Sequence, residues 1–308
     1  MSVLKASSRI PKVWLVTGCS TGFGRSLVPA ILARGDKVIA SARKTSDLGY
    51  VENNPNARAL QLDVTTSEDT IRQKVEEAIG GFGGIDVLVN NAGYVLSGVW
   101  EEVTHEDTLK QFETNVFGAL KLTRCLLPHM RAKKSGVIMF MSSIAGWHGV
   151  GAGGPYSSSK FALEGAVECL QKEIGPLGIR THLLVFGQFR TNILDPNKKG
   201  DNLNPSSIKD YNAIKNELAE RHETTNGKQP GNPELASERI LDIACGENLT
   251  AQQLQKLPLR IPIGSDAIDI MRRKCRETLE SIESWKDFAS STDFADGEHS
   301  IPDYFQKQ

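Results

Sequence analysis

Short runs of apolar and β-branched residues alternate along the chain with longer stretches whose apolar positions recur every three or four residues. Val13 to Thr17, Lys37 to Ser41, Ala59 to Leu62, Ile85 to Val89, Gly136 to Met141 and Ile179 to Val185 read as strands. Gly22 to Arg34, Glu68 to Ile79 behind Ser67, about Glu106 to Arg131, and Tyr156 to Ile174 read as helices. The last of these places Leu163, Val167, Leu170 and Ile174 on one stripe. The strands are nearly all apolar rather than alternating, as in strands covered on both faces. Repeated strand–helix–strand order with short connections predicts an α/β fold, a doubly wound parallel sheet with helices on both faces.

Beyond Val185 the pattern changes. Residues 195–233 are rich in Asn, Lys, Pro, Gly and Ser, with a helical patch from Ile208 to Arg221. They read as a polar insertion, a lid over a substrate site, whose face of Ile208, Tyr211, Ile214 and Leu218 can close on an apolar ligand. Glu234 to Cys245 and Ser265 to Trp285 read as helices around a short strand, Leu259 to Ile263, and residues 286–308 as an irregular tail. The expectation is one domain over 1–308, with an extended C-terminal region.

Composition narrows the function. The 36 basic and 37 acidic residues leave a net charge of −1, without the footprint of a nucleic-acid or anionic-membrane binder. Apolar runs have strand length, far short of the roughly 20 residues that span a bilayer. The opening stretch has no secretory apolar run and the end is not a peroxisomal address, so the expectation is a cytoplasmic chain. Five scattered cysteines without a CxxC pair predict buried or half-buried free thiols, and neither they nor the histidines suggest a metal site.

The chemistry gathers at strand ends. After the first strand, Gly18, Gly22 and Gly24, with Ser20, Thr21 and Phe23 between them, form a turn whose backbone can lie against a pyrophosphate at a helix N-terminus. A tight packing turn is the competing reading. The second strand ends in Ala42-Arg43-Lys44 where an NAD site carries an acid; a guanidinium there suits a 2′-phosphate, which points to NADP(H). Asp63 and Val64 close the third strand, where Asp63 can accept from an adenine amino group or serve as a turn aspartate. Asn90-Asn91-Ala92-Gly93 forms a small-residue turn that can both lock strand ends and floor a cofactor site. Tyr156 and Lys160, at i and i+4, share one helix face. An adjacent cation favours the phenolate and makes a phenol of pKa about 10 usable near neutrality.

Together these residues resemble the short-chain dehydrogenase/reductase family, over about residues 12–192 by motifs. The pattern TGxxxGxG stands at Thr17 to Gly24, NNAG at Asn90 to Gly93 and YxxxK at Tyr156 to Lys160. The resemblance implies a Rossmann-type fold and selects Ser143 and Asn115 as partners of Tyr156 and Lys160. It is similar to an NADP-preferring branch that includes hydroxysteroid dehydrogenases and carbonyl reductases. Gly187 and Thr191 hold the register of the nicotinamide-side motif, while Phe186 replaces its usual proline.

The implied reaction is NADPH-dependent hydride transfer to a ketone, or the reverse from a secondary alcohol. Tyr156 is the acid, Ser143 the oxygen's hydrogen-bond partner, Lys160 the cation and ribose ligand, and Asn115 the residue holding a relay water. The substrate side is expected from Ala145 to Gly154 and Gln188 to Asn192. There Trp147, Phe186 and Phe189 suggest a small, apolar substrate. The resemblance also implies a homodimer or homotetramer, its long helices exposing apolar residues such as Leu109 and Phe161. A non-catalytic NADP-binding regulator and a non-redox biosynthetic step on the same fold are the alternatives.

Overall fold

The apolar runs become strands because each residue alternates between two covered faces of a sheet. In the computed structural model, which describes residues 10–194 and 208–294, these are β1 (Val13–Val16), β2 (Lys37–Ala42), β3 (Ala57–Gln61), β4 (Val87–Asn90), β5 (Gly136–Ser143), β6 (Ile179–Phe186) and β7 (Arg260–Ile263). They form one parallel sheet of order β3-β2-β1-β4-β5-β6-β7. The helices are α1 (Gly22–Ala33), α2 (Glu68–Phe82), α3 (His105–Phe112), α4 (Ala119–Lys133), α5 (Gly154–Ile174), α6 (Asn212–Thr225), α7 (Pro233–Cys245), α8 (Ala251–Gln255) and α9 (Ser265–Ser290).

Alternation along the strands sorts the core into two layers. Trp14, Val16, Val87 and Val89 pack with Leu27, Ile31 and Leu241 of α1 and α7. Leu15, Leu88 and Phe140 pack with Ile71, Leu122 and Leu163 of α2, α4 and α5. Each such large side chain contributes about 1.5–3 kcal/mol by leaving water. Caps set the helix ends: Ser67 accepts from the Thr70 N–H, and Asn232 accepts from the N–H groups of Glu234 and Leu235 with Pro233 behind it. The chain builds outward from β1 to β3 and then from β4 to β7. The strand order therefore reverses between β1 and β4, opening a crevice at their carboxyl ends.

The structure departs from the sequence expectations in several places. The helix expected from 106 to 131 is interrupted by a π-helical segment, Glu113–Gly118. A 3-10 segment at Thr45–Val51 and the short α8 add to the predicted elements. Helix α9 continues through Ser290, so the tail expected to be irregular from 286 begins as helix; residues 295–308 lie outside the described residues. Cys19 and Cys125 are buried as expected, but Cys169 and Cys275 are exposed. Among the described residues, no helix is long and apolar enough to cross a membrane.

Candidate active site

The crevice begins where β1 turns into α1. Gly18 sits at φ +70°, in the left-handed region that other residues enter only at a cost. A Cβ on Gly24 would run into the Gly18 carbonyl and the Asn91 side chain, so only glycine lets α1 lie this close to the turn. Asn91 fixes the opposite wall: its amide nitrogen donates to the carbonyls of Thr17 and Gly18 at 2.7 and 3.2 Å. The backbone N–H groups of Asn91 and Ala92 both donate to the Thr17 hydroxyl at 2.9 Å. Thr21 at the α1 N-cap makes no side-chain cap bond, which leaves the first N–H groups of the helix to a ligand.

The resulting cleft has a volume of about 1440 Å³, above the usual range of about 300–1,000 Å³ for small-molecule sites. It gathers most of the expected cofactor residues: Gly18, Ser20, Thr21, Gly22 and Phe23 on one wall, Arg43 at the end of β2, Asp63 and Val64 after β3, Asn91, Ala92 and Gly93 after β4, and Thr191 beyond β6. Gly24 supports this wall from within α1. Asp63 is also a turn residue, since its Oδ1 accepts from the Thr65 N–H at 2.9 Å and hydroxyl at 2.7 Å. Arg25 and Tyr50, absent from the sequence reading, line the same cleft. The Arg25 guanidinium lies 4.6 Å from the Tyr50 ring centre, and the Tyr50 hydroxyl donates to the Cys19 carbonyl at 2.8 Å. The position of Arg25, on the first turn after the glycines, was the available signal.

Ser143, Tyr156, Lys160, Asn115 and Gly187 are not among the residues lining this cleft. Ser143, Tyr156 and Lys160 form a cluster, and Asn115 lies between Gly93 of the cleft wall and Ser159 of the helix that carries Tyr156. Pro155 in the first turn of α5 sets the helix start beside Tyr156. The Ser143 side chain, at the end of β5, hydrogen-bonds the Tyr156 phenol; burial pushes the phenol pKa up, and this bond pulls it down. The Lys160 ammonium lies 5.8 Å from the Tyr156 ring centre and donates to the Met141 carbonyl at 2.6 Å. Burial lowers its pKa to about 8, against the opposing pull of Glu164. Asn115 occupies the π-helical segment, a distortion common at functional sites. Its oxygen accepts from the Tyr94 N–H at 3.1 Å, and its nitrogen donates to the Tyr94 carbonyl at 3.0 Å and to the Ser159 hydroxyl at 3.3 Å.

Glu164, one turn beyond Lys160, was not singled out from the sequence. It is buried, takes a hydrogen bond from Ser142, and pairs with Arg260 of β7 at 2.6 Å. Arg260 also reaches Glu168 at 2.6 Å, tying the edge strand to the helix that carries Tyr156.

Two of the three aromatic residues expected to face substrate are placed differently. Phe186 and Phe189 are buried and stack with Phe23, with ring centres 4.4–5.4 Å apart. The ring at the usual proline position thus fills the core behind the glycine turn, where an apolar side chain is stabilised by packing. Gly187 packs against the Asp266 carboxylate, which accepts from the Gln188 N–H at 2.7 Å.

Residues 195–207 of the predicted lid lie outside the described residues; the remainder is well anchored. Leu218 packs with Val99 and Ala152. Lys215, 2% exposed, pairs with Glu102 at 2.7 Å, and the Tyr211 hydroxyl meets Glu101 at 2.7 Å. Arg190 donates to the Gln229 carbonyl at 2.7 Å. The apolar face of α6 therefore closes on loops of its own domain.

Comparison with known proteins agrees with this geometry. Residues 12–202 match the short chain dehydrogenase family. A 3-ketodihydrosphingosine reductase of Bacteroides thetaiotaomicron is 40% identical over 185 residues, covering 60% of this chain and 66% of that one. An NADPH-dependent 3-dehydrocapnine reductase of Ornithobacterium rhinotracheale is 36% identical over 207 residues, covering 65% of this chain and 72% of its own length. The crystal structure of a short-chain dehydrogenase from Streptomyces avermitilis superposes with a TM-score of 0.81 at 34% identity, covering 93% of this chain and all of that one. The crevice, the glycine turn and the Ser143–Tyr156–Lys160 cluster thus belong to a member of the short-chain dehydrogenase/reductase family, an oxidoreductase that uses a nicotinamide cofactor to interconvert a carbonyl and an alcohol.

Proposed function

We propose that the protein is an NADPH-dependent reductase of small apolar ketones, able to run in reverse on the secondary alcohols. The observation that carries this reading is the Ser143–Tyr156–Lys160 cluster set beside a dinucleotide-sized cleft with arginine and no acid at the end of β2. The residues present fit a phosphorylated dinucleotide. The α1 N-terminus offers N–H groups to the pyrophosphate, and Arg43, with Arg25 nearby, offers charge-assisted bonds to a 2′-phosphate. Asp63 and Val64 border the adenine end, while Asn91, Ala92, Gly93 and Thr191 shape the nicotinamide end. The similarity to an NADPH-dependent reductase supports the same preference.

The bound cofactor supplies the hydride that reduces the carbonyl carbon. Tyr156 donates a proton to the carbonyl oxygen, and Ser143 hydrogen-bonds that oxygen as negative charge develops on it. Lys160 holds the ribose and its positive charge favours ionisation of Tyr156. Asn115, fixed through Tyr94 and Ser159, positions a water for proton return. A ketone substrate is favoured by the two relatives named as reductases of 3-ketodihydrosphingosine and 3-dehydrocapnine. The intact acid–base cluster argues against a non-catalytic regulator, which needs the glycine turn alone.

Three further readings accompany this one. The chain works in the cytoplasm. It forms a homodimer or homotetramer through the long-helix face where Leu109, Phe117 and Phe161 are exposed. Residues 208–233 cover the substrate end, so that proteolytic cleavage after Lys228 slows when NADPH and ketone are both bound; equal rates would remove the lid. A panel of ketones, aldehydes and quinones, each offered with NADPH and with NADH, tests the main reading by absorbance at 340 nm. Consumption of NADPH with apolar ketones is expected, and none with any carbonyl would overturn the assignment.

A further inference from the structure

Successive turns of α5 grip the last three residues of β5. Tyr156 meets Ser143, Lys160 donates to the Met141 carbonyl at 2.6 Å, and Glu164 accepts from the Ser142 hydroxyl. Glu164 thus continues the helix face of Tyr156 and Lys160 by one turn. It is 4% exposed. Burying a carboxylate is costly, and a well-packed apolar residue would hold α5 against the sheet at least as well. Its second oxygen accepts from the Arg260 Nε at 2.6 Å, and the same guanidinium reaches Glu168 at 2.6 Å.

Given the roles of Ser143, Tyr156 and Lys160 proposed above, on which this inference rests, we propose that Glu164, held by Arg260, is a positioning residue for the reaction. It keeps the Lys160 ammonium and the Ser142–Ser143 strand end in register with Tyr156. Arg260 divides its charge between two carboxylates, so the negative charge of Glu164 is not cancelled and acts on the ammonium one turn away. The other groups facing Lys160 are the Tyr156 phenol on α5 and the Met141 carbonyl on β5. Arg260 of β7 stands behind Glu164, and the Ile144–Gly146 turn carries no charge. In the π-helical segment Asn115 is neutral and Glu113 pairs with Lys121. Burial makes Lys160 easier to deprotonate, and Glu164 opposes this. A neutral Lys160 would leave Tyr156 without the cation that eases its ionisation.

Lysine labelled with carbon-13 at Cε reads the Lys160 titration by NMR in the cofactor-free protein, with Lys160→Met to identify the signal. Glu164→Gln keeps the shape and removes the charge, and should move the titration about one pH unit lower. Arg260→Gln removes the opposing charge and should move it higher. A merely loosened fold would hydrate Lys160 and raise it in both variants. In NADPH turnover of a ketone that wild type reduces, the Glu164→Gln defect should be about tenfold near pH 8 and vanish towards about pH 6, where the ammonium persists. KM for NADPH should stay within about threefold of wild type. An unmoved titration in Glu164→Gln, shifts of the same sign in both variants, or a defect equal at both pH values overturns the proposal. If Arg260→Gln does not fold, the Glu164→Gln measurements decide alone. A wild type that reduces no ketone overturns the functional reading instead, and the titration still decides the link between Glu164 and Lys160.

Discussion

The two sides of the cleft are built by different means. The wall that faces the cofactor is backbone and small side chains: Gly18 in a left-handed turn, Gly24 against a carbonyl, and Asn91 bridging two strand ends. The side proposed to cover the substrate is held by charged and polar side chains reaching between distant segments, as in Lys215 to Glu102, Tyr211 to Glu101 and Arg190 to Gln229. A backbone-built wall depends on local turns and sheet order, and its motifs are short and contiguous. A side-chain-built cover depends on pairs separated by 39 to 113 positions in sequence. The first can be shared by a whole family while the second is free to change with the substrate.

The largest expected effect lies where the two sides meet. Tyr156→Phe removes the acid and leaves the ring, so turnover should fall by about 10²–10⁴. Equal rates at saturating NADPH would take the proton from another group. The next effect belongs to the substrate side. Glu102→Ala leaves the Lys215 ammonium buried without its carboxylate, and should cost about 3–5 kcal/mol in urea unfolding. A loss below about 1 kcal/mol would mean that the cover contributes little to the fold.

A smaller effect separates the two sides by pH. The Lys160 pKa, about 8 in the cofactor-free protein, lies below its ordinary value of 10.5. Between those values the unfolded chain binds a proton that the folded chain does not, so stability rises with pH over this window. The cost of the buried ammonium is fully present below about pH 8 and is relieved by about 10.5. The stability difference between wild type and Lys160→Met should therefore shift in favour of wild type across that window. A difference that stays constant would place the Lys160 pKa near its ordinary value.

The same contrast explains what the sequence revealed. Strands β1, β2, β4, β5 and β6 are apolar runs bounded by turns, and their order along the chain was enough to predict a doubly wound sheet. Gly18, Asn91 and the Tyr156–Lys160 pair were legible because short motifs hold them. The π-helical segment at Glu113–Gly118 was not, because its sequence continues a helical pattern and the break accompanies contacts of Asn115 with Tyr94. Phe186 was read as a neighbour of substrate because its side of the strand could not be known before Phe23 and Phe189 were placed. Helix α8 left a signal that went unread, the capping box of Thr250 and Gln253. The Lys215–Glu102 and Arg260–Glu164 pairs left none, since nothing local marks a long-range partner.

If the cofactor wall and the proton machinery are separate constructions, binding and chemistry should be separable by mutation. Titrating NADPH and NADH into wild type, Arg43→Ala and Tyr156→Phe, followed by nicotinamide fluorescence, tests this most directly. Arg43→Ala should lose about 1.5–3 kcal/mol of NADPH affinity with little change for NADH, as expected for removal of a charge-assisted contact. Tyr156→Phe should bind NADPH within about a factor of three of wild type. Contradiction would come from wild type binding NADH more tightly than NADPH, or from Tyr156→Phe losing as much NADPH affinity as Arg43→Ala.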